Sequence, residues 1–202
     1  KLGKNKLPYK EWISSGYHGH MGYLDRHQEQ KFDPSKLLPN TQSVISVRLD
    51  YLPLEVKALE ALKNKNIAYI SRYALGRDYH KVIRAKLKKL VAQIKSNLDE
   101  EFNFRLFTDS APVLEVDIAE KAGLGWRGKH TLLLNKNHGS WFFLGEIYTD
   151  LPLPSDTSTS KHCGSCTACI DICPTSAIIA PYKLDARKCI SYLTIEHRES
   201  IP

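Results

Sequence analysis

The clearest periodic signal lies in residues 81–98. There Val82, Ile83, Leu87, Leu90, Val91, Ile94 and Leu98 recur at three- and four-residue spacing, with Arg84, Lys88 and Lys95 elsewhere. That pattern predicts a long amphipathic helix. Residues 41–49 carry Val44, Ile45, Val47 and Leu49, a β-rich run ended by Asp50 and Pro53. Further strands are expected at 104–108, 131–134 and 140–148, the last two as a hairpin around Lys136-Asn137-His138-Gly139. After the strand at 104–108, Ser110 reads as a cap and Pro112 as a first-turn residue of a helix reaching Ala122. A short helix is expected within 54–64, and a helix broken by Gly16, Gly19 and Gly22 within 12–26. Residues 69–80 read as irregular, turning at Gly76.

Residues 151–160 hold Pro152, Pro154 and a Ser/Thr run, which is linker chemistry. The expected division is an α/β body over residues 1–152, a linker over 153–160 and a cysteine-bearing module over 161–202. No internal repeat occurs. An apolar share of 42% and a charged share of 25% are ordinary for a soluble globular chain. No run approaches the ~20 apolar residues of a membrane span, and the basic start lacks the apolar stretch of a signal peptide. The chain lacks an initiator Met and stops in polar sequence, so a fragment at both ends is expected.

The net charge of +7 comes from 29 Lys and Arg against 22 Asp and Glu. From Lys161 onward Lys161, Lys183, Arg187, Lys188 and Arg198 nearly balance Asp171, Asp185, Glu196 and Glu199. The basic excess therefore lies in the body, opposite to a small acidic electron carrier. Such a body suits a polyanionic partner, and a solvated basic surface is the simpler alternative.

All five cysteines fall between positions 163 and 189, and clustered short spacings point to metal rather than disulfides. The string Cys163-Gly-Ser-Cys166-Thr-Ala-Cys169-Ile-Asp-Ile-Cys173-Pro174 has the spacing of a two-cluster ferredoxin, in which the fourth cysteine ligates the other cluster. Zinc sites use separated pairs instead. By that count Cys163, Cys166 and Cys169 give three ligands to one cube, and Cys173 and Cys189 give two to a second. The chain is expected to continue beyond Pro202 with the missing ligands. On this count the 202 residues alone hold at most one labile cluster. Clustered thiolate ligands also imply a reducing, cytoplasmic setting.

Two motifs mislead. Gly123-Leu-Gly125-Trp-Arg-Gly128, with Asp150 beyond, matches the dinucleotide fingerprint but leaves a helix and enters a strand, the reverse of the required context. A glycine loop admitting a bulky planar ligand to the backbone is the preferred reading. Asp78-Tyr-His80 starts like the aspartate–histidine motif of cobalamin mutases, but Ile83 stands where that motif needs Gly. His18, His20, His130 and His138 lack metal-site spacing.

Taken together, YALGRDYH (73–80), DSAPVLE (109–115), AGLGWRGKHTLLL (122–134), GSWFFLGEI (139–147), the cysteine run and LDARKCISYLTIEHR (184–198) resemble the epoxyqueuosine reductases. Reductive dehalogenases share the plan more distantly. The resemblance implies an α/β (α+β) cobalamin-binding domain followed by a partial ferredoxin-like 4Fe–4S domain, with two 4Fe–4S clusters in the full-length protein. It implies electrons passing from an external donor through clusters and cobalamin to the epoxide of a modified guanine at the tRNA wobble position. The enzyme would be a cytoplasmic monomer without membrane contact. Asp109 would protonate the departing oxygen, with burial expected to keep it protonated against a nearby helix N-terminus. Arg72, Lys129, Ser191 and Arg198 would contact cobalamin or tRNA, and Tyr79 and His80 would lie near the substrate. Competing readings are a corrinoid reductive dehalogenase and a non-catalytic electron-transfer module.

Overall fold

The computed structural model describes residues 5–52 and 58–201, with backbone alone at 58 and 59. Its centre is the strand β5 (Phe142–Thr149), flanked in an antiparallel sheet by β1 (Ser43–Asp50) and β2 (Phe104–Phe107) in the order β1-β5-β2. β5 reads FFLGEIYT, apolar toward both faces, as a strand covered on both sides requires. Register is set by pairs such as Val47 with Gly145, Leu106 with Ile147, and Phe107 with Glu146.

The long helix α5 (Tyr79–Asn97) covers one face. Ile83, Leu87 and Val91 pack with Ile147, Phe102 and Leu151, and Ile45, Val47 and Phe143 join them. Gly145 lets the helix seat closely: a Cβ there would lie 2.9 Å from Ile83 Cγ2. The predicted helix at 81–98 is thus found, beginning two residues earlier because the Asp78 carboxylate caps it from the His80 amide. On the other face lies α6 (Glu115–Lys121), whose Ile118 packs with Tyr148 and Phe107 and whose Ala119 packs with Phe142 and Leu133.

Three expectations change. The helix expected at 12–26 is instead α1 (Lys6–Ser14), and a single turn α2 (Gly22–Asp25) follows. Gly16 and Gly19 stand at φ +68° and +57° and break the path between the two. Ser110 does not cap α6, and Pro112 precedes it. Asp109 takes a left-handed turn at φ +56°, and Ser110 Oγ accepts from Arg84 Nη2 at 3.3 Å. The expected hairpin between 131–134 and 140–148 is split: β4 (Leu133–Leu134) pairs with β3 (Trp126–Arg127), and β5 has both edges taken by β1 and β2. A tight loop joins them, closed by reciprocal Asn135–Gly139 hydrogen bonds of 2.8 and 3.0 Å. Of the helix expected within 54–64, α4 spans Ala58–Lys63, and 54–57 lie outside the described residues. α3 (Gln28–Phe32) completes the body.

The cysteine-bearing segment folds as α7 (Ala168–Asp171), a ribbon of β6 (Ile178–Ala180) and β7 (Lys183–Leu184), and α8 (Ile190–Ile195). It is docked on the N-terminal segment. Trp12 Nε1 donates to the Leu184 carbonyl at 2.6 Å, Ala186 N–H to Tyr17 O at 2.9 Å, and His20 N–H to the Tyr192 hydroxyl at 2.9 Å. The stretch before it hydrogen-bonds the glycine loop through Thr159 Oγ1 to Gly123 O at 2.8 Å.

The α5–β5 contact is the core's main apolar seam, and Leu87, 2% exposed, lies in it. Leu87→Ala should destabilise the fold by about 2–5 kcal/mol, measured as a lowered urea midpoint with an unchanged transition slope.

Candidate active site and cluster-binding loop

The N-terminus of α5 and the end of β2 bring three of the sequence's candidates together. Asp78 caps α5 from the His80 amide at 3.0 Å and also meets His80 Nδ1 at 2.9 Å. That second contact aims the ring's other nitrogen at Asp109, with His80 Nε2 lying 3.1 Å from Asp109 Oδ2. The Tyr79 hydroxyl donates to the same oxygen. Tyr79 is stacked between His80, 4.0 Å between centroids, and Phe143 on β5, at 4.2 Å and 4° between planes. The ring is therefore fixed from both sides before its hydroxyl meets Asp109. Burial, then the Asp109 hydrogen bond, pushes the Tyr79 phenol well above its ordinary range, so it stays a donor. Asp78 is held below the usual carboxylate range chiefly by its His80 hydrogen bond.

Asp109 itself differs from the expectation in two ways. Its side chain is 57% exposed, so the chain's own packing does not desolvate it. Nor does it border a helix start, since α6 begins six residues on. Its carboxylate is instead tied to Tyr79 and His80 through Oδ2 alone, and among the described residues Oδ1 meets no side-chain donor.

Beside this cluster opens a groove of about 410 Å³, floored by Leu49, Tyr51, Tyr79 and Phe143 and rimmed by Arg72, Tyr73 and Arg77. Arg72 stands in a 3₁₀ turn against the Tyr69 ring, and its Nε is buried without a hydrogen-bond partner among the described residues. An aromatic wall with an unsatisfied guanidinium at its rim fits a large planar group bearing anionic or amide oxygens. Cobalamin meets that description.

Behind Asp109 lies a carboxyl pair. Glu115, the first residue of α6, accepts the Asp109 amide at 2.5 Å. Glu146 on β5 is fully buried, and neither of its oxygens meets a donor of ordinary hydrogen-bond geometry. Burial first, then repulsion from Glu115, raises Glu146 far above the carboxylate range. Burial raises Glu115 as well, partly offset by the Asp109 amide. Two carboxyls this close and dry share protons rather than both ionise.

Cys163, Cys166, Cys169 and Cys173 lie on one loop and its short helix, and Cys189 stands apart just before α8. Gly164, at φ +40°, turns the chain, Cys166 N–H donates to Cys163 O at 2.9 Å, and Cys169 lies in α7. Cys173 Sγ accepts the Ala177 amide at 3.3 Å, and burial's upward push on this thiol is outweighed by amide donation from Ala177 and Ile178. Thiols on one wrapped loop with amides directed at sulfur fit an iron–sulfur cube. Among the described residues no three His, Cys, Asp or Glu side chains form a compact mononuclear metal site. Lys129 serves this loop: Nζ donates to Gly164 O and Cys166 O, each at 2.8 Å. Ser191 on α8 and Arg198 beyond it are exposed, and no described hydrogen bond joins either to the Asp109 cluster. On the side where a Cβ would stand, the glycine loop is filled by the chain itself. A Cβ at Gly125 would lie 2.1 Å from Leu134 O, and one at Gly123 2.7 Å from Thr157 O, so the chain itself fills that space.

The family model for epoxyqueuosine reductase QueG, DUF1730, matches residues 31–110, and that for a 4Fe-4S double cluster binding domain matches 162–202. An epoxyqueuosine reductase of Pseudomonas aeruginosa is 53% identical over all of this chain and 56% of its own length. The chain belongs to the epoxyqueuosine reductase family. It spans about half the length of the curated relatives it matches. Among solved structures, an epoxyqueuosine reductase with an epoxyqueuosine-modified tRNA stem loop superimposes with TM-score 0.79 at 30% identity, covering 94% of this chain and 49% of that one. One from Bacillus subtilis, whose aspartate catalytic loop is swung out of the active site, gives 0.76 at 30% identity over the same shares. The cysteine segment thus matches a 4Fe-4S double cluster binding domain.

The sequence reading placed Tyr79 and His80 only near the substrate and passed over Glu115 and Glu146. One signal was available: Glu146 is a lone acid inside WFFLGEIY, and a charge in a strand with apolar neighbours on both sides needs a reason to be there. Because burial and the neighbouring Glu115 raise Glu146 far above the carboxylate range on folding, its contribution to stability is full at low pH and is lost as pH rises above the ordinary carboxylate range. Glu146→Gln removes that loss, so its unfolding midpoint should gain on the native protein steadily from about pH 5 to 9. Parallel curves across that range would contradict the assignment.

Proposed function

We propose that the protein, in its full-length form, reduces epoxyqueuosine to queuosine at the wobble position of tRNA, as an oxidoreductase using cobalamin and two 4Fe–4S clusters. The observation that carries this reading is the Asp109 carboxyl, clamped on one oxygen by Tyr79 and His80 beside an aromatic groove. Sequence identity to epoxyqueuosine reductases over the whole chain supports it, as does structural likeness to a relative bound to a modified tRNA stem loop.

The net reaction takes up two electrons and two protons, breaks both carbon–oxygen bonds of the epoxide and releases the oxygen as water, leaving an alkene. When bound, cobalamin would supply the reducing power at the epoxide carbon. Tyr51, Tyr79 and Phe143 would hold its planar face, with Arg72 and Arg77 at its polar edge. Cys163, Cys166 and Cys169 would hold three corners of one cluster, and Cys173 and Cys189 would belong to the second. Lys129 positions the first loop through its carbonyls, and Ser191 and Arg198 offer contacts on the α8 side.

The chain's own residues manage the protons. Oδ1 of Asp109, left free while Oδ2 is clamped, is the oxygen that delivers a proton to the leaving alkoxide. His80, oriented by Asp78 at Nδ1, lies with Nε2 against Asp109 Oδ2, where with Tyr79 it would steady the carboxylate left after delivery, and solvent would return the proton to the exposed Oδ1. Asp109 needs no deep burial for this, because the bound cofactor and tRNA exclude water when they close over it. The relative with its aspartate loop swung out supports a loop that moves with the catalytic cycle. The body's basic excess suits tRNA, and the enzyme works as a cytoplasmic monomer fed by an external electron donor.

The test reconstitutes the full-length protein anaerobically with iron, sulfide, cobalamin and a strong reductant, adds epoxyqueuosine-bearing tRNA and weighs the digested nucleosides. Loss of one oxygen from the base, slowed about 10²–10⁴-fold by Asp109→Asn, is expected. No mass change with both cofactors bound would overturn the assignment.

A further inference from the structure

Asp109 is not glycine, yet it holds a left-handed turn at φ +56°, next to the tight Thr108–Ser110 and Ala111–Val113 hydrogen bonds of 2.7 Å each. Asp adopts that conformation more readily than most residues, but at a cost that local contacts offset. The described contact on the Asp109 main chain is the 2.5 Å bond from its amide to Glu115 Oε1. The Glu115 carboxyl neighbours that of Glu146, and each acts on the other's charge. Glu146 faces it from the centre of the sheet, paired across the strands with Ser46 on β1 and Phe107 on β2, and the Ser46 hydroxyl is also buried without a partner.

Among the described residues no Lys or Arg ion pair with Glu115 or Glu146 is found. Arg48 on β1 is turned to Asp50 and the Phe142 ring, and Arg105 on β2 to the Leu37 carbonyl and the Phe107 ring. The remaining titratable neighbours are Tyr148 on β5, His80 on α5 and Asp109 itself. A dry carboxyl pair that has no Lys or Arg partner among the described residues and touches the loop of the proposed proton donor has no evident structural purpose, since an apolar pair would pack there at lower cost.

We propose that Glu115 is a positioning residue for Asp109. Its Oε1 receives the Asp109 amide and latches the left-handed turn that brings the carboxyl to Tyr79 and His80, while Glu146 behind it fixes where Glu115 can lie. With the latch closed, Oδ2 is clamped and Oδ1 is presented. With it open, the loop is free to leave. The latch stands on geometry alone, and its catalytic meaning rests on the reading of Asp109 as proton donor.

The experiment compares full-length, cofactor-loaded native protein with Glu115→Ala and Glu115→Gln, by hydrogen–deuterium exchange of the peptide around Asp109 and by deoxygenation kinetics. Glu115→Ala should raise exchange at the Asp109 amide about fivefold, the loss of one ordinary hydrogen bond. It should lower kcat about 10²-fold while leaving KM for tRNA nearly unchanged. Glu115→Gln keeps a carbonyl oxygen to accept the amide and should restore both. Unchanged exchange in Glu115→Ala overturns the proposal. So does exchange raised throughout the fold with no rescue by Gln, which is the mark of a merely structural carboxyl. If Asp109→Asn deoxygenates normally while Glu115→Ala still loosens the loop, the catalytic reading falls and the latch stands.

Discussion

The site depends on how closely α5 sits on β5. Gly145 removes the one Cβ that would hold the helix away from the strand, and Ile83 and Leu87 occupy the space it leaves. That contact fixes the height of the α5 N-terminus above the sheet, and with it the stack of His80, Tyr79 and Phe143. β2 is hydrogen-bonded to the opposite edge of β5, so the turn after it delivers Asp109 to the same place. A one-residue slip of β2 against β5 would carry Asp109 away from both partners. The geometry of the Asp109 cluster is thus a consequence of core packing and strand register.

Much of this was legible in sequence, for identifiable reasons. α5 announces itself because it is long, amphipathic and half-buried. β1 announces itself because β-branched residues cluster between polar boundaries. The cysteine run is readable because a cube constrains spacing strictly, and that part of the chain matches a double-cluster domain. The start of α6 was misread because Ser110 and Pro112 have the right chemistry for a helix entry, whereas the Asp109 turn diverts the chain until Glu115. Strands of two residues, β3 and β4, leave no periodicity to detect. The glycines of 123–128 spell a ligand motif but are small because the chain approaches itself.

Electrostatics was the least legible layer. Asp109 was expected to owe its proton to burial, yet it is exposed, and behind it stand the half-buried Glu115 and the fully buried Glu146. On the proposed reading, the drier carboxyls shape the loop and the exposed one meets the substrate. Lys129 was read as a cofactor contact, and its ammonium binds the carbonyls of the cysteine loop. It thereby ties the electron-carrying segment to the body that holds Asp109.

The central claim is that Asp109 gives its proton to the departing oxygen, and chemical rescue tests it most directly. In full-length Asp109→Ala, loaded with cofactors and modified tRNA, added formic or acetic acid should restore deoxygenation at a rate that rises with the concentration of the protonated acid. If neither acid restores any product while tRNA and cofactors remain bound, the proton comes from elsewhere and the account of this site is wrong.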